Sequence, residues 1–288
     1  MKLTFLEAPI CKGSPTDGSQ FAFGALCENG LAAHFDGAAL WRMEPPAVDE
    51  EAYHPSRKDC TAVMTVSRLL AERVAYVRRE GSMPIVIGGD HSVAIGSIAG
   101  ISAVYGAEAL TVIYIDGHTD INTEQTTETG FIHGMPLAAA MGLCHESLTV
   151  GRKRNLYGKN TVILGARSID PGEYGIIEAQ GVTLYTADQI RARGMEAVMH
   201  EVLARIQTPV VHVSFDVDVM DETEFSSTGY RMPNGLTLDE AEAMLTAVLA
   251  TGAVASLDFV EYNPLLDQSG KDRETVFRLL SHLKTYYE

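Results

Sequence analysis

Two short runs, Tyr114-Ile115-Asp116-Gly117-His118-Thr119-Asp120 and Ser214-Phe215-Asp216-Val217-Asp218, set carboxylates and an imidazole at the ends of strongly apolar, strand-like segments. An extended chain has a period of two, which predicts that Asp116, His118 and Asp120 project to one side, and Asp216 and Asp218 likewise. Carboxylates gathered this closely repel one another and are costly to desolvate. A divalent metal between them, or better a pair, meets that charge and turns the cluster into a place for polarising water. The competing structural reading, carboxylates hydrogen-bonded to helix N-termini, leaves the repulsion in place. A third run, Gly88-Gly89-Asp90-His91-Ser92, follows Ile85-Val86-Ile87 and opens a helix. Its glycines permit a tight turn and a close backbone approach, which aims His91 into the same crevice. His91, Asp116, His118, Asp120, Asp216 and Asp218 thus form a candidate ligand set without thiolate, better suited to Mn²⁺ or a similar ion than to structural Zn²⁺.

The elements that must position these residues are legible as alternating patterns. Strand-sized apolar runs occupy residues 3–6, 84–87, 110–115, 161–164, 182–185, 210–215 and 254–260. Between them, residues 59–80, 92–105, 187–206, 237–250 and 272–286 carry Leu, Val, Met and Ala at helical spacing. Thr237 followed by Asp239 and Glu240 is a start signal, and Gly81 and Gly252 are stops. Such alternation predicts a three-layer α/β fold, an open and mostly parallel sheet with helices on both faces. Ligands of open α/β sheets collect at the carboxyl ends of the strands. Asp90-His91, the 116–120 run, Asp216-Asp218 and Glu261 all fall at such ends.

At 288 residues, with 46% hydrophobic and 21% charged residues, the chain is ordinary for a globular protein and carries no Pro/Ser-rich divider. We therefore expect one domain over residues 1–288. A formal charge of −16 disfavours nucleic acid and anionic membrane as partners and leaves room for a cationic or zwitterionic small substrate. The four cysteines include no C-x-x-C pair, and the apolar run at the N-terminus is too short for a signal peptide, so a cytoplasmic protein is expected.

Taken in order, Gly-Gly-Asp-His-Ser at 88–92, Asp-Gly-His-Thr-Asp-Ile-Asn at 116–122, His-Gly-Met-Pro at 133–136, Ser-Phe-Asp-Val-Asp at 214–218 and Val-Glu-Tyr-Asn-Pro at 260–264 resemble the motif series of the ureohydrolase family, which includes arginases and agmatinases. The resemblance implies the arginase-like fold and two Mn²⁺ ions per subunit. His91, Asp116, Asp120 and Asp216 would hold one ion, and His118, Asp116, Asp216 and Asp218 the other, with Asp116 and Asp216 bridging. A hydroxide shared by the metals would attack a guanidinium carbon, and collapse of the tetrahedral intermediate would release urea. His133 resembles the family's proton shuttle on a mobile loop, Glu261 the carboxylate that anchors the guanidinium, and Asp120 could accept the proton of the attacking water. A homotrimer or homohexamer is the assembly the family implies.

The outer loops lean toward arginase. Asn122 and Thr129 match residues that contact an α-carboxylate, and Asp170 and Glu173, in Ser168-Ile169-Asp170-Pro171-Gly172-Glu173, match the segment that receives an α-amino group. The implied activity is hydrolysis of L-arginine or a close guanidino amino acid. Agmatine, formimino-glutamate or N-hydroxyarginine chemistry are alternatives within the family, and a catalytically inactive metal-binding regulator is an alternative outside enzymology. The chain departs from the family pattern at Gly117 (usually alanine), Phe131 (usually polar), Ser168 (commonly aspartate) and Asp221-Glu222, where the usual proline is missing. In addition, Thr228-Gly229-Tyr230-Arg231 replaces a small Thr-Gly-Thr-Pro segment, which brings Tyr230 to the substrate end as a candidate contact.

Overall fold

The computed structural model describes residues 1–45 and 60–287. Among these, the strands are β1 (Leu3–Glu7), β2 (Ala39–Trp41), β3 (Met83–Ile87), β4 (Leu110–Ile115), β5 (Thr161–Ala166), β6 (Thr183–Thr186), β7 (Val210–Asp216) and β8 (Val254–Val260). The helices are α1 (Ala22–Glu28), α2 (Leu31–His34), α3 (Cys60–Arg79), α4 (Ala94–Tyr105), α5 (Pro136–Ala140), α6 (Pro171–Gln180), α7 (Ala187–Arg193), α8 (Met195–Arg205), α9 (Leu238–Leu249) and α10 (Lys271–Tyr287). The strands form one sheet in the order β2-β1-β3-β8-β7-β4-β5-β6. Every pairing in it is parallel.

Side-chain alternation divides the core into two layers. Phe5, Ile85, Ile87, Ile113, Ile115, Val213, Phe215, Leu257 and Phe259 face α1, α9 and α10, where Phe23, Leu245 and Leu279 meet them. Leu6, Val86, Val112, Tyr114 and Val260 face α3, α4 and α5, contributed by Leu70, Ile98 and Leu137. β3, β4, β7 and β8 are buried throughout, as strands covered on both faces must be.

The sheet order carries the functional consequence. β3, β8, β7 and β4 are adjacent central strands, and the segments leaving their carboxyl ends are the ones that bear His91, Glu261, Asp216 with Asp218, and Asp116 through Asp120. The chain runs from β3 through α4 to β4 on the far side of β7 and β8, so a crevice opens at this crossover. At the end of β3, Gly88 and Gly89 take φ values of 89° and 83°. A Cβ on Gly89 would lie 2.8 Å from the Ala8 carbonyl, so the expected close approach is real.

Several expectations differ in detail. The helix expected over 187–206 is divided by Gly194, at φ 88°, into α7 and α8. α5 and α6 each begin with proline at the first helical position, where its fixed φ suits a helix start although it reads as a break in sequence. The first residue of the helix expected over 59–80 lies outside the described residues. No helix among the described residues is long and apolar enough to cross a membrane.

Candidate metal centre and substrate crevice

β4 ends at Ile115, so Asp116, His118 and Asp120 are not three alternate residues of one strand. They are gathered by a turning loop in which Asp120 adopts φ 46°. Likewise Asp216 closes β7, while Asp218 belongs to the 3₁₀ turn that follows and donates its backbone N–H to Asp216 Oδ1 at 2.8 Å. The expected clustering is therefore achieved by loop geometry in place of strand periodicity. Asp120 and Glu261, at φ 63°, are two of the three described non-glycine residues with positive φ, and both sit in this crevice. Such strain persists only where the surroundings impose it.

The cluster converges on two imidazoles. His91 Nδ1 lies 2.9 Å from Asp116 Oδ2, 3.0 Å from Asp216 Oδ2 and 3.3 Å from Asp120 Oδ2. His118 Nδ1 lies 3.0 Å from Asp218 Oδ2 and 3.5 Å from Asp116 Oδ1. Two sets of donor atoms are compact enough for an ion, His91 with Asp116 and Asp216, and Asp116 with His118 and Asp218. Asp116 belongs to both sets, Asp216 to the first, and Asp120 flanks the first through its 3.3 Å approach to His91.

Charge inside this cavity is held by protons when no cation is present. Burial opposes a charged imidazole at His91 and His118, yet the surrounding aspartates raise both well above the ordinary histidine range. Burial, followed by the neighbouring Asp116 carboxylate, pushes Asp120 up to about 8. Burial with Asp218 and Asp116 raises Asp216 well above the usual carboxylate range. Asp116 alone moves down, because the two imidazoles outweigh its burial. One atom stands out: Asp116 Oδ2 is buried without a hydrogen-bond partner, although it lies 2.9 Å from His91 Nδ1. An orphaned carboxylate oxygen amid imidazole nitrogens and further carboxylates fits divalent cations of hard-to-borderline character.

Behind the cluster lies a polar relay. His91 Nε2 faces Ser214 Oγ at 2.8 Å, and Ser214 Oγ donates to Asp258 Oδ2 at 3.3 Å. Ser97 Oγ donates to the same oxygen at 2.5 Å, and His212 Nε2 reaches it at 3.1 Å. With Nε2–H directed at Ser214, Nδ1 is the nitrogen that faces the carboxylates and the one that would give up its proton to a cation held among them. Tyr114 stacks on His91 with centroids 4.3 Å apart and donates its hydroxyl to Asp120 Oδ2 at 2.8 Å. The sequence reading missed the roles of Ser214, Asp258 and Tyr114. Their signal was there, polar residues inside otherwise apolar strands.

The crevice continues outward as a cavity of about 200 Å³ lined by His118, Asp120, His133, Ser168 and Tyr230 along with the Asn122 and Thr129 loop. Glu261 Oε1 accepts the His91 backbone N–H at 3.0 Å and lies 3.4 Å from His133 Nδ1. Burial opposes protonation of His133, but Glu261, then Asp120 and Asp90, raise its pKa above the ordinary value. His133 belongs to a 3₁₀ turn, and its backbone N–H donates to the Gly13 carbonyl at 3.1 Å, so the expected mobile loop is tied down at this residue. Asn122 Nδ2 donates to Asp170 Oδ2 at 2.8 Å. Glu173 lines the cavity, but its carboxylate oxygens accept the backbone N–H groups of Ile121 (3.0 Å) and Asp170 (2.8 Å), which makes it the capping-box partner of Asp170 at the start of α6. Gly117 also finds a reason: a Cβ there would lie 2.7 Å from Arg167 Nη1, whose guanidinium ties down the carbonyls of Asp218, Val219 and Met220.

A parallel sheet whose four central strands deliver this acid and imidazole cluster defines a ureohydrolase, and comparison with known proteins agrees. The profile of the arginase family matches residues 2–283. An arginase of Bacillus caldovelox is 36% identical over 230 residues, covering 78% of this chain and 76% of its own. Arginase-1 of Bos taurus is 36% identical over 297 residues, 96% of this chain and 88% of its own. The crystal structure of Bacillus subtilis arginase superposes with a TM-score of 0.89 at 32% identity, covering 98% of this chain and 97% of that one. The chain belongs to the arginase family.

Proposed function

We propose that this protein is a manganese-dependent amidinohydrolase that cleaves the guanidino group of L-arginine, or a close guanidino amino acid, to urea and the corresponding amino acid. The observation that carries the proposal is the meeting of three carboxylate oxygens within 3.3 Å of His91 Nδ1 in a cavity that also holds the Glu261–His133 pair. In this reading His91, Asp116, Asp120 and Asp216 hold one ion, and His118, Asp218 and the shared Asp116 and Asp216 hold the second. Two bound divalent cations would supply the positive charge that makes hydroxide available near neutral pH and that stabilises developing negative charge.

The remaining work belongs to side chains. Glu261 anchors the guanidinium by a charge-assisted pair and so fixes the carbon to be attacked. Asp120 takes the proton of the attacking water. His133, 3.4 Å from Glu261, delivers a proton to the departing nitrogen and recovers one from solvent. At the outer end, Asn122 and Thr129 receive the α-carboxylate and Asp170 the α-amino group, while Glu173 holds Asp170 and Ile121 in place. The whole span acts as one catalytic domain, in the cytoplasm, and as a homotrimer or homohexamer.

Urea release by the manganese-loaded protein should be measured with L-arginine, agmatine, 4-guanidinobutyrate and N-hydroxy-L-arginine. Turnover of the amino acids in preference to agmatine is expected. Absence of urea with all of them would overturn the proposal.

A further inference from the structure

Two of the residues that depart from the family pattern, Phe131 and Tyr230, come from loops about a hundred positions apart and meet on one imidazole. The Tyr230 ring lies 5.1 Å from that of His133, tilted by 34°, and the Phe131 ring stands at 69° to it with centroids 6.0 Å apart. Tyr230 also stands edge-on to His118 at 5.6 Å, so its ring bridges the two imidazoles at the wall of the cavity. His133 is held from below as well, by the Gly13 carbonyl on its backbone and by Glu261 Oε1 at 3.4 Å from Nδ1. Gly13 is itself fixed, since its N–H donates to Asp90 Oδ2 at 2.8 Å. Polar contacts therefore set where the turn sits. On the ring itself Glu261 gives a single tether at Nδ1, and the aromatic neighbours limit the swing which that one contact leaves.

We infer that Phe131 and Tyr230 are positioning residues that clamp the His133 imidazole against Glu261, a role that a small residue at 230 and a polar one at 131 could not perform. The role of His133 in proton delivery rests on the ureohydrolase reading; the clamp itself does not. A clamped shuttle has its reacting atom placed in advance, and a misplacement of about 1 Å costs about a hundredfold in rate. The effect should accordingly fall on kcat.

The test compares wild type with Tyr230→Thr and Tyr230→Phe, each loaded with manganese and matched for metal content. Turnover of L-arginine is one readout, and the rate at which diethyl pyrocarbonate modifies His133, followed by peptide mass spectrometry, is the other. For Tyr230→Thr we expect kcat to fall roughly 10- to 100-fold with KM within about threefold, and His133 to be modified about tenfold faster. Tyr230→Phe should restore both, because the ring and not the hydroxyl makes the contact. An unchanged modification rate in Tyr230→Thr would overturn the clamp, as would a rise in KM at constant kcat, which would place Tyr230 on the substrate instead. If wild type turns over no guanidino compound, the ureohydrolase reading fails while the modification rates still decide the clamp.

Discussion

The inner and outer halves of the crevice are built by different means. The inner half hangs from the ends of four adjacent buried strands, and apart from the orphaned Asp116 Oδ2 its carboxylates lean on imidazoles and backbone N–H groups. The outer half is made of loops at residues 122–133, 168–173 and 228–232, partly exposed, with side chains that bond within these loops and from one to the next. Chemistry common to a family calls for the first kind of construction, whereas selection among substrates can be served by the second. The departures at Phe131, Ser168 and Tyr230 all fall in the outer half. In the inner half Gly117 departs too, and there the space is taken by Arg167.

This contrast can be broken by substitution. Asp216→Ala should have the largest effect, a loss of about 10³-fold or more in activity together with loss of bound manganese, because several kcal/mol of charge stabilisation go with it. Elemental analysis of the dialysed variant checks this, and two ions retained would show that Asp216 is not a shared ligand. Ser214→Ala comes next. With the His91 ring no longer oriented from behind, manganese affinity should fall about 10- to 100-fold, as measured by titration. Asn122→Ala, in the outer half, should raise KM for L-arginine roughly tenfold, leave metal content untouched and change agmatine turnover little, in line with loss of one hydrogen bond to a charged group. Equal effects on both substrates would dissolve the distinction between the halves.

The smallest expected effect concerns the chelated protein. In the folded, metal-free state His91, His118, Asp120 and Asp216 all have raised pKa values, so this state holds more protons than the unfolded chain. Stability must then decline as pH rises, beginning above the unfolded carboxylate pKa of about 3.9 and continuing through the folded Asp120 value near 8. The melting temperature of the chelated protein should thus drop by several degrees between pH 5.5 and about 8.5. Metal binding displaces those protons, so the stabilisation gained from manganese should grow over the same range. A melting temperature that climbs with pH after chelation would contradict the assignment.

The same contrast explains what was legible in the sequence. Buried parallel strands read as apolar runs, so the central sheet was visible and with it the strand ends that carry Asp116, Asp216 and Glu261. β2, only Ala39–Trp41 and at the sheet edge, offers too short a pattern. α6 was hidden because Pro171 reads as a break, although Asp170 and Glu173 form a capping box around it. The geometry that gathers the cluster was not legible, since a period of two assumes a strand that in fact ends at Ile115. Asp258 was passed over because a single carboxylate inside an apolar strand acquires meaning only when Ser97, His212 and Ser214 are seen to converge on it. Contacts between distant loops, such as Tyr230 with His133, leave no local signature at all.

If the inner half is a binuclear cation site, its two ions can be located by diffraction. Anomalous diffraction at the manganese edge from crystals of the manganese-loaded protein tests it most directly. Two peaks are expected, one beside His91 and one beside His118, with Asp116 reaching both. A single peak elsewhere, or none within reach of these imidazoles, would contradict it.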